Sequence, residues 1–318
     1  MSGATISRYF NDPEKLSRET AARVRAVVNR LSYVPNLLAG GLASNRTKMI
    51  AAVIPTMSNS IFSSTIQAIS DTLARHGYGV VLGLTGAKDE HTDSQLMSII
   101  GHRPHGIILT GPVLNPGTRA KLKASGIPTI ETWDLPADPI DMVVGISHTD
   151  VGRAIGEYAI KTGRRQVLIV SGAGARASAR RLGFSRVLKK HHFPDPVVIT
   201  YPGNTSYSLG RAAVAAHLDA GGRPELVLCS SDWGAHGAMD ELRRRGIRVP
   251  ESVSVIGFGD IEFAAELDPP LTSVKIDGNI IGQQAVDFLM KRARGEHIKN
   301  SVVDVGFEFI VRGSSASR

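Results

Sequence analysis

The chain has 318 residues and a formal net charge of +8, with 42% hydrophobic and 21% charged residues. It is long enough for two or three domains with real cores and ordinary in balance for a soluble α/β protein. A single cysteine, Cys229, excludes an intramolecular disulfide and suits a reducing cytoplasm, and no apolar run approaches the ~18 residues of a membrane span or forms the core of a signal peptide.

The charge is unevenly placed. Residues 1–48 carry eight Lys or Arg against three acids, and the remaining chain is close to neutral. A basic head on a near-neutral body suggests a polyanion partner at the head only. Charge alone favours a solvated helix face; charge combined with the residue pattern there favours the polyanion.

In chain order, the first element is a short helix that Ser2 can cap. Ser2, Gly3, Ala4, Thr5, Ser7, Arg8 and Asn11 give it a small, polar outer face, the chemistry of a helix end brought close to a nucleic-acid backbone and groove. A second amphipathic helix follows Ser17, a good N-cap, with Thr20 where a capping box would want Glu. Ala21, Val24, Val27, Val28 and Leu31 recur at helical spacing, and Arg18, Arg23, Arg25 and Arg30 fill the gaps. Tyr33 and Val34 lead to Pro35, which stops this helix. Asn36 can then cap a short helix from Leu37 to Leu42, in which Gly40 and Gly41 each cost about 1 kcal/mol relative to alanine. Such a segment folds only when something offsets its ordering entropy.

Ser2-x-x-Thr5-Ile6-Ser7-Arg8 with Asn11, then Tyr33-x-Pro35-Asn36 and Ala39-x-x-Leu42-Ala43, resembles the recognition helix and hinge of LacI/GalR-type transcription repressors. The phrases around Glu131, Gly145 and Gly306 resemble the gluconate-utilisation branch. The resemblance implies a partial helix-turn-helix at 1–33, a hinge helix at 34–48 and an effector-binding and dimerisation domain at 49–318. It implies DNA contacts from Ser2 to Asn11 and from Tyr33, Asn36 and Ala39, and it places Leu42 as the wedge that opens the minor groove. The family sets roughly fifteen to twenty more residues, including a first helix that braces the second, ahead of Ser2. The expectation is therefore a start lying upstream, and poor DNA binding by the chain as written.

From Met49 short apolar runs alternate with helical stretches. Ile50 to Ile54, Val80 to Leu82, Gly106 to Leu109, Pro128 to Ile130 and Met142 to Ile146 form one set, with helices near 61–76, 92–102 and 117–125. Gln166 to Val170, Val197 to Thr200, Leu226 to Cys229 and Val253 to Phe258 form a second. Such runs suit parallel sheets covered on both faces. The expected architecture is α/β, a two-lobed periplasmic-binding-protein-like core with lobes at about 49–147 plus 278–312 and at 148–276. The chain crosses near 147–149 and 275–278, the strand Val302 to Phe307 returns to the first lobe, and a cleft lies at the carboxyl ends of the strands.

Candidate chemistry gathers at that cleft. Gly172-x-Gly174-x-x-Ala177 fits a dinucleotide fingerprint, but the ribose acid is missing after Ile199-Thr200-Tyr201, so a tight strand-to-helix turn explains it better than a nicotinamide cofactor. Arg180 would aim a forked donor into the cleft, suited to a carboxylate or a vicinal diol, and the resemblance makes it the effector arginine. Its neighbour Arg181 reads as a surface residue. Ser231 stands where the family usually has Asn, and Asp232 serves equally well as helix N-cap or ligand contact. Gly259, before Asp260, stands where the family often has Asp, which removes a negative charge and tilts the ligand toward a sugar acid; Glu131 pulls the other way if it faces the cleft. Asn59 supplies an amide, and Phe62 an apolar wall or ordinary core. Of ten histidines only His191-His192 cluster, and adjacent helical residues point apart, a poor metal geometry.

The reading is a sequence-specific DNA-binding repressor, not an enzyme, with no cofactor or metal. It forms a homodimer on a pseudo-palindromic operator and responds to a small sugar or sugar acid. The alternatives are a shortened sugar-sensing dimer without effective DNA binding and a stand-alone sugar-binding protein.

Overall fold

The computed structural model describes residues 2–33, 48–57, 60–85, 92–111, 113, 115–203 and 205–316. The chain divides into two compact units, Met1–Thr47 and Lys48–Arg318.

The N-terminal unit is built on two capped helices, α1 (Gly3–Asn11) and α2 (Arg18–Arg30), joined by a 3-10 turn at Pro13–Lys15. The Ser2 hydroxyl oxygen accepts from the Thr5 amide at 3.3 Å, and Ser17 accepts from the Thr20 amide at 3.2 Å. Each cap satisfies one of the orphan N–H groups of a first turn. Thr20 completes the second cap by accepting the Ser17 hydroxyl at 2.9 Å, the place a capping-box glutamate would hold. Among the described residues of this unit Val24 is the buried apolar one, while Ile6, Phe10, Leu31 and Tyr33 remain exposed. The Phe10 ring stands 5.0 Å from Tyr9 and 6.2 Å from Tyr33. Asn36, Ala39 and Leu42 of the expected hinge, and Asn59, lie outside the described residues.

The larger unit carries a six-stranded parallel sheet of order β11-β5-β4-β3-β1-β2 and a four-stranded parallel sheet of order β7-β6-β8-β9. The first uses β1 (Met49–Ile54), β2 (Gly79–Leu84), β3 (Gly106–Leu109), β4 (Thr129–Thr132), β5 (Met142–Gly145) and β11 (Val302–Asp304). The second uses β6 (Val167–Gly172), β7 (Val197–Tyr201), β8 (Leu226–Cys229) and β9 (Ser254–Ile256). The α/β two-sheet fold expected from the alternating runs is the fold observed. Strands β3, β4, β5, β6 and β8 inside the sheets, and β9 at the end of the second, are buried at every residue, as a sheet covered on both faces requires. Each fully buried Ile or Leu among them contributes about 1.5–3 kcal/mol. Edge strands differ: Val81, Leu82 and Leu84 of β2 and Val197 and Val198 of β7 are exposed.

The strand expected from Val302 to Phe307 ends at Asp304, and a further strand follows it. β11 lies parallel to β5, but β12 (Glu308–Ile310) pairs antiparallel with β10 (Ser273–Lys275), which is bridged to the second sheet through Ile256 and Thr272. The chain then finishes on the second lobe, where the Ser314 hydroxyl donates to the Val255 carbonyl at 2.6 Å and Tyr158 donates to the Ser315 carbonyl at 2.9 Å.

Candidate functional site

In the N-terminal unit, Ser2, Gly3, Ala4, Ser7 and Arg8 are exposed on α1. Thr5 is half-buried, and its hydroxyl lies 3.0 Å from that of Ser2 within the cap. A side chain at Gly3 would meet only open space, so packing within the unit does not require glycine there. Tyr33 is exposed beyond α2. The surface is small, cationic and rich in short donors, and it suits contact with a phosphate backbone.

In the larger unit, the carboxyl ends of β4, β5, β6 and β9 bring a second group of side chains together. Two helices set it up: α6 (His148–Thr162), capped by Ser147, and α7 (Ala175–Lys190), which follows the glycine turn after β6. These helices meet backbone to backbone. A Cβ at Gly152 would lie 1.9 Å from the Arg180 carbonyl oxygen, and one at Gly183 would lie 2.0 Å from that of Thr149. That approach puts Arg180 against the first residue of α6.

Arg180 Nη1 lies 3.0 Å from His148 Nδ1, and His148 Nε2 lies 3.0 Å from the Trp133 carbonyl. A guanidinium only donates, so Nδ1 accepts and Nε2 carries the hydrogen that goes to Trp133. Burial, reinforced by the charges of Arg180 and Arg176, pushes the His148 pKa down to about 2. The Arg180 side chain is half-buried, but its guanidinium lies deep, 3.8 Å over the Phe258 ring. Burial and the neighbouring Arg176 push its pKa down to about 9. Arg180 therefore stands beside His148, the residue at which the chain crosses between the lobes.

Arg176, one turn earlier, spans the lobes. It donates to Asp134 Oδ2 from Nε at 2.8 Å and from Nη2 at 2.6 Å, and to the Thr132 carbonyl at 3.2 Å. Its guanidinium carbon lies 5.5 Å from the centre of the Phe62 ring. Phe62 is both wall and core: it is buried and meets Trp133 edge-on at 5.0 Å. Trp133 adopts φ +73 and donates its indole N–H to Thr65 at 3.2 Å. Arg181 is no surface residue. It clamps its own turn through Ser171 and the Gly172 carbonyl, at 2.9 and 3.2 Å.

The other candidates are engaged within the fold. Glu131 is 3% exposed, and its carboxylate accepts from Arg119 at 3.0 Å and from the Ile140 amide at 2.7 Å, so it is held inside the first lobe. Ser231, not Asp232, is the N-cap of α9 (Asp232–Arg244): its oxygen accepts from Gly234 at 3.1 Å and its hydroxyl donates to the Thr205 carbonyl at 2.7 Å. Asp232 is 1% exposed and accepts from Ser273 at 2.6 Å and the Ile261 amide at 2.9 Å. Burial pushes its pKa up to about 6 despite those bonds. Asp260 pairs with Arg312 at 2.6 Å. Asp232 and Asp260 hold the loop after β9, Asp232 through the Ile261 amide and Asp260 through Arg312. Sequence reasoning missed Asp134, His148 and Phe258, and treated Arg176 as part of a glycine turn.

Among the described residues no group of three or more His, Cys, Asp or Glu could hold a metal ion, and no helix is long and apolar enough to cross a membrane. The family described as "Bacterial regulatory proteins, lacI family" matches residues 1–36, and the "Periplasmic binding protein-like domain" matches residues 157–315. The chain is 30% identical to the HTH-type transcriptional regulator GntR of Pseudomonas aeruginosa, over 99% of this chain and 92% of that protein. It is 27% identical to the HTH-type transcriptional repressor CytR of Escherichia coli, over 99% and 93%. A crystal structure of a LacI-family transcriptional regulator from Silicibacter pomeroyi superposes with a TM-score of 0.93 at 30% identity, covering 100% of this chain and 96% of that one. An exposed cationic helix, a two-sheet core and these likenesses agree: the chain belongs to the lacI family of bacterial regulatory proteins, and it is a DNA-binding transcriptional regulator, not an enzyme.

Proposed function

We propose that the protein is a repressor that binds a pseudo-palindromic operator as a homodimer, and that a small sugar or sugar acid held between the lobes sets its affinity for DNA. The observation that carries this reading is the meeting of Arg176, Arg180 and His148 with Trp133 and Asp134 of the other lobe. A small polar ligand there touches both lobes at once, so its binding energy is linked to how they pack. Through the segment 34–48 that packing sets the spacing of two DNA-binding units. The coupling is thermodynamic and reciprocal, and several kcal/mol of preference for one state suffices to move occupancy from bound to free. At the head, Ser2, Gly3, Ala4, Thr5, Ser7, Arg8, Asn11 and Tyr33 contact the operator, with Asn36, Ala39 and Leu42 at its centre. In the cleft, Arg180 holds ligand hydroxyls and Phe62 forms the apolar wall, while Asp232, Ser231 and Asp260 support the rim.

The test is a thermal-shift panel of sugars and sugar acids, followed by operator mobility shift with each hit. A ligand at 100 times its dissociation constant stabilises by about 2.7 kcal/mol. Arg180→Ala is expected to abolish the shift, and hits are expected to alter operator affinity in the wild type. A hit that stabilises the protein and leaves operator affinity unchanged across a salt series would sink the linkage.

A further inference from the structure

Among the described residues the lobe junction carries more positive charge than it neutralises. Arg176, Arg180 and Arg181 act on one another there, and Asp134 is the carboxylate facing them. Arg181 is committed to its own turn, and Arg180 lies over the Phe258 ring and donates to the neutral His148 imidazole. Arg176 alone of the three already grips a carboxylate. It does so at a place that solvent reaches, with 17% of its side chain and 23% of that of Asp134 exposed. The grip is two N–H donors, Nε and Nη2, on one carboxylate oxygen, and its selectivity for an acid group lies in the charge of the acceptor, which strengthens such bonds about twofold over neutral ones.

We propose that Arg176 is the residue that reads the acid group of the ligand, and that the ligand's carboxylate does so by taking the place of Asp134 on its guanidinium. This rests on the reading that a small polar ligand binds between the lobes, and adds its charge and the residue that selects it. Asp134 is an internal competitor: its carboxylate holds the same donors, and an incoming carboxylate displaces it. The exchange replaces a bond between the lobes with a bond between one lobe and the ligand. A neutral sugar offers only uncharged hydroxyl oxygens, weaker acceptors than the Asp134 carboxylate, so it leaves that pin in place. Acid and neutral ligands therefore differ in what they do to the junction as well as in affinity.

The experiment is binding calorimetry on the full chain with matched pairs that differ in the acid group, D-gluconate against D-glucose and D-galactonate against D-galactose. In the wild type the acid of at least one pair binds more tightly. Arg176→Gln is expected to lose that preference by about tenfold or more, the size of a charge-assisted hydrogen bond, while the neutral partner changes by less than about twofold. Arg176→Lys keeps the charge without the fork and is expected to fall between. Asp134→Asn is expected to tighten acid binding by about tenfold, because the competitor is gone. Melting curves of each variant show that it is folded. An unchanged acid-to-neutral ratio in Arg176→Gln, or weaker acid binding in Asp134→Asn, overturns the proposal. Binding of neutral sugars alone overturns it and leaves the wider reading standing, whereas binding of neither class removes both.

Discussion

His148 receives its hydrogen bond from Arg180 at 3.0 Å, an arrangement open only to an unprotonated imidazole. Folding thus carries a neutral histidine into the interior, and the unfolded chain takes up a proton that the folded chain refuses. With the folded pKa near 2 and the unfolded value at 6.5, stability from this site is complete above pH 6.5 and is lost as pH falls below it. The slope approaches about 1.4 kcal/mol per pH unit. Asp232 runs the other way. Its folded pKa of about 6 lies above the ordinary carboxylate value of 3.8, so its contribution grows as pH falls through 6 toward 3.8 and is lost as pH rises again. Between about pH 4 and 6 the two oppose each other. Urea unfolding across that window is expected to show stability falling with acidification in Asp232→Asn and rising in His148→Gln. Parallel slopes in the two variants would contradict the assignment.

The contact between α6 and α7 leaves no room for a methyl group. Gly152→Ala or Gly183→Ala is expected to cost about 1–3 kcal/mol by forcing the helices apart. It should also weaken ligand binding, because Arg180 moves with its helix and Gly152 lines the cavity beside it. Thermal melts and calorimetry on the same preparations check both effects together.

The pair Glu131–Arg119 separates structural from functional charge. Arg119→Met strands a carboxylate that is 3% exposed, and a loss of about 3–5 kcal/mol is expected. The double variant with Glu131→Gln recovers much of that loss. Ligand affinity is expected to stay within about twofold in any folded variant of the pair, which calorimetry reads directly.

Helix capping gives the N-terminal unit much of its local order. Ser17→Ala is expected to cost about 1 kcal/mol and Ser2→Ala a comparable amount. Helical circular dichroism and operator affinity should fall together in both. Ser2, which also contacts the operator in the proposed reading, is expected to lose more affinity than Ser17 for the same loss of helicity; equal losses would remove Ser2 from the contact.

Local features were legible in the sequence and long-range ones were not. Ser2 and Ser17 cap helices through amides three residues away, and the central strands announce themselves as unbroken apolar runs. Arg180 could be placed because it follows a strand and a glycine turn. The partners of the acids could not: Asp260 meets Arg312 across 52 positions, and Glu131 meets Arg119 from a neighbouring helix. Ser231 and Asp232 are both competent caps, and only where the helix begins decides between them. Asp134 stands in an unmarked turn and gains its meaning from Arg176, 42 positions later. Edge strands β2 and β7 read as buried because nothing in an apolar run says that a sheet ends there.

The threading of the larger unit limits how such a sensor can be recombined. The chain leaves the first sheet after β5, comes back with α10 (Gly278–Ala293) and β11, and departs again to place β12 and Ser314 on the second lobe. A single breakpoint in a gene can therefore never transplant one lobe whole. Any chimera that swaps ligand preference between such regulators needs its junctions chosen at every strand that passes from one sheet to the other, or it inherits a sheet missing its outermost member.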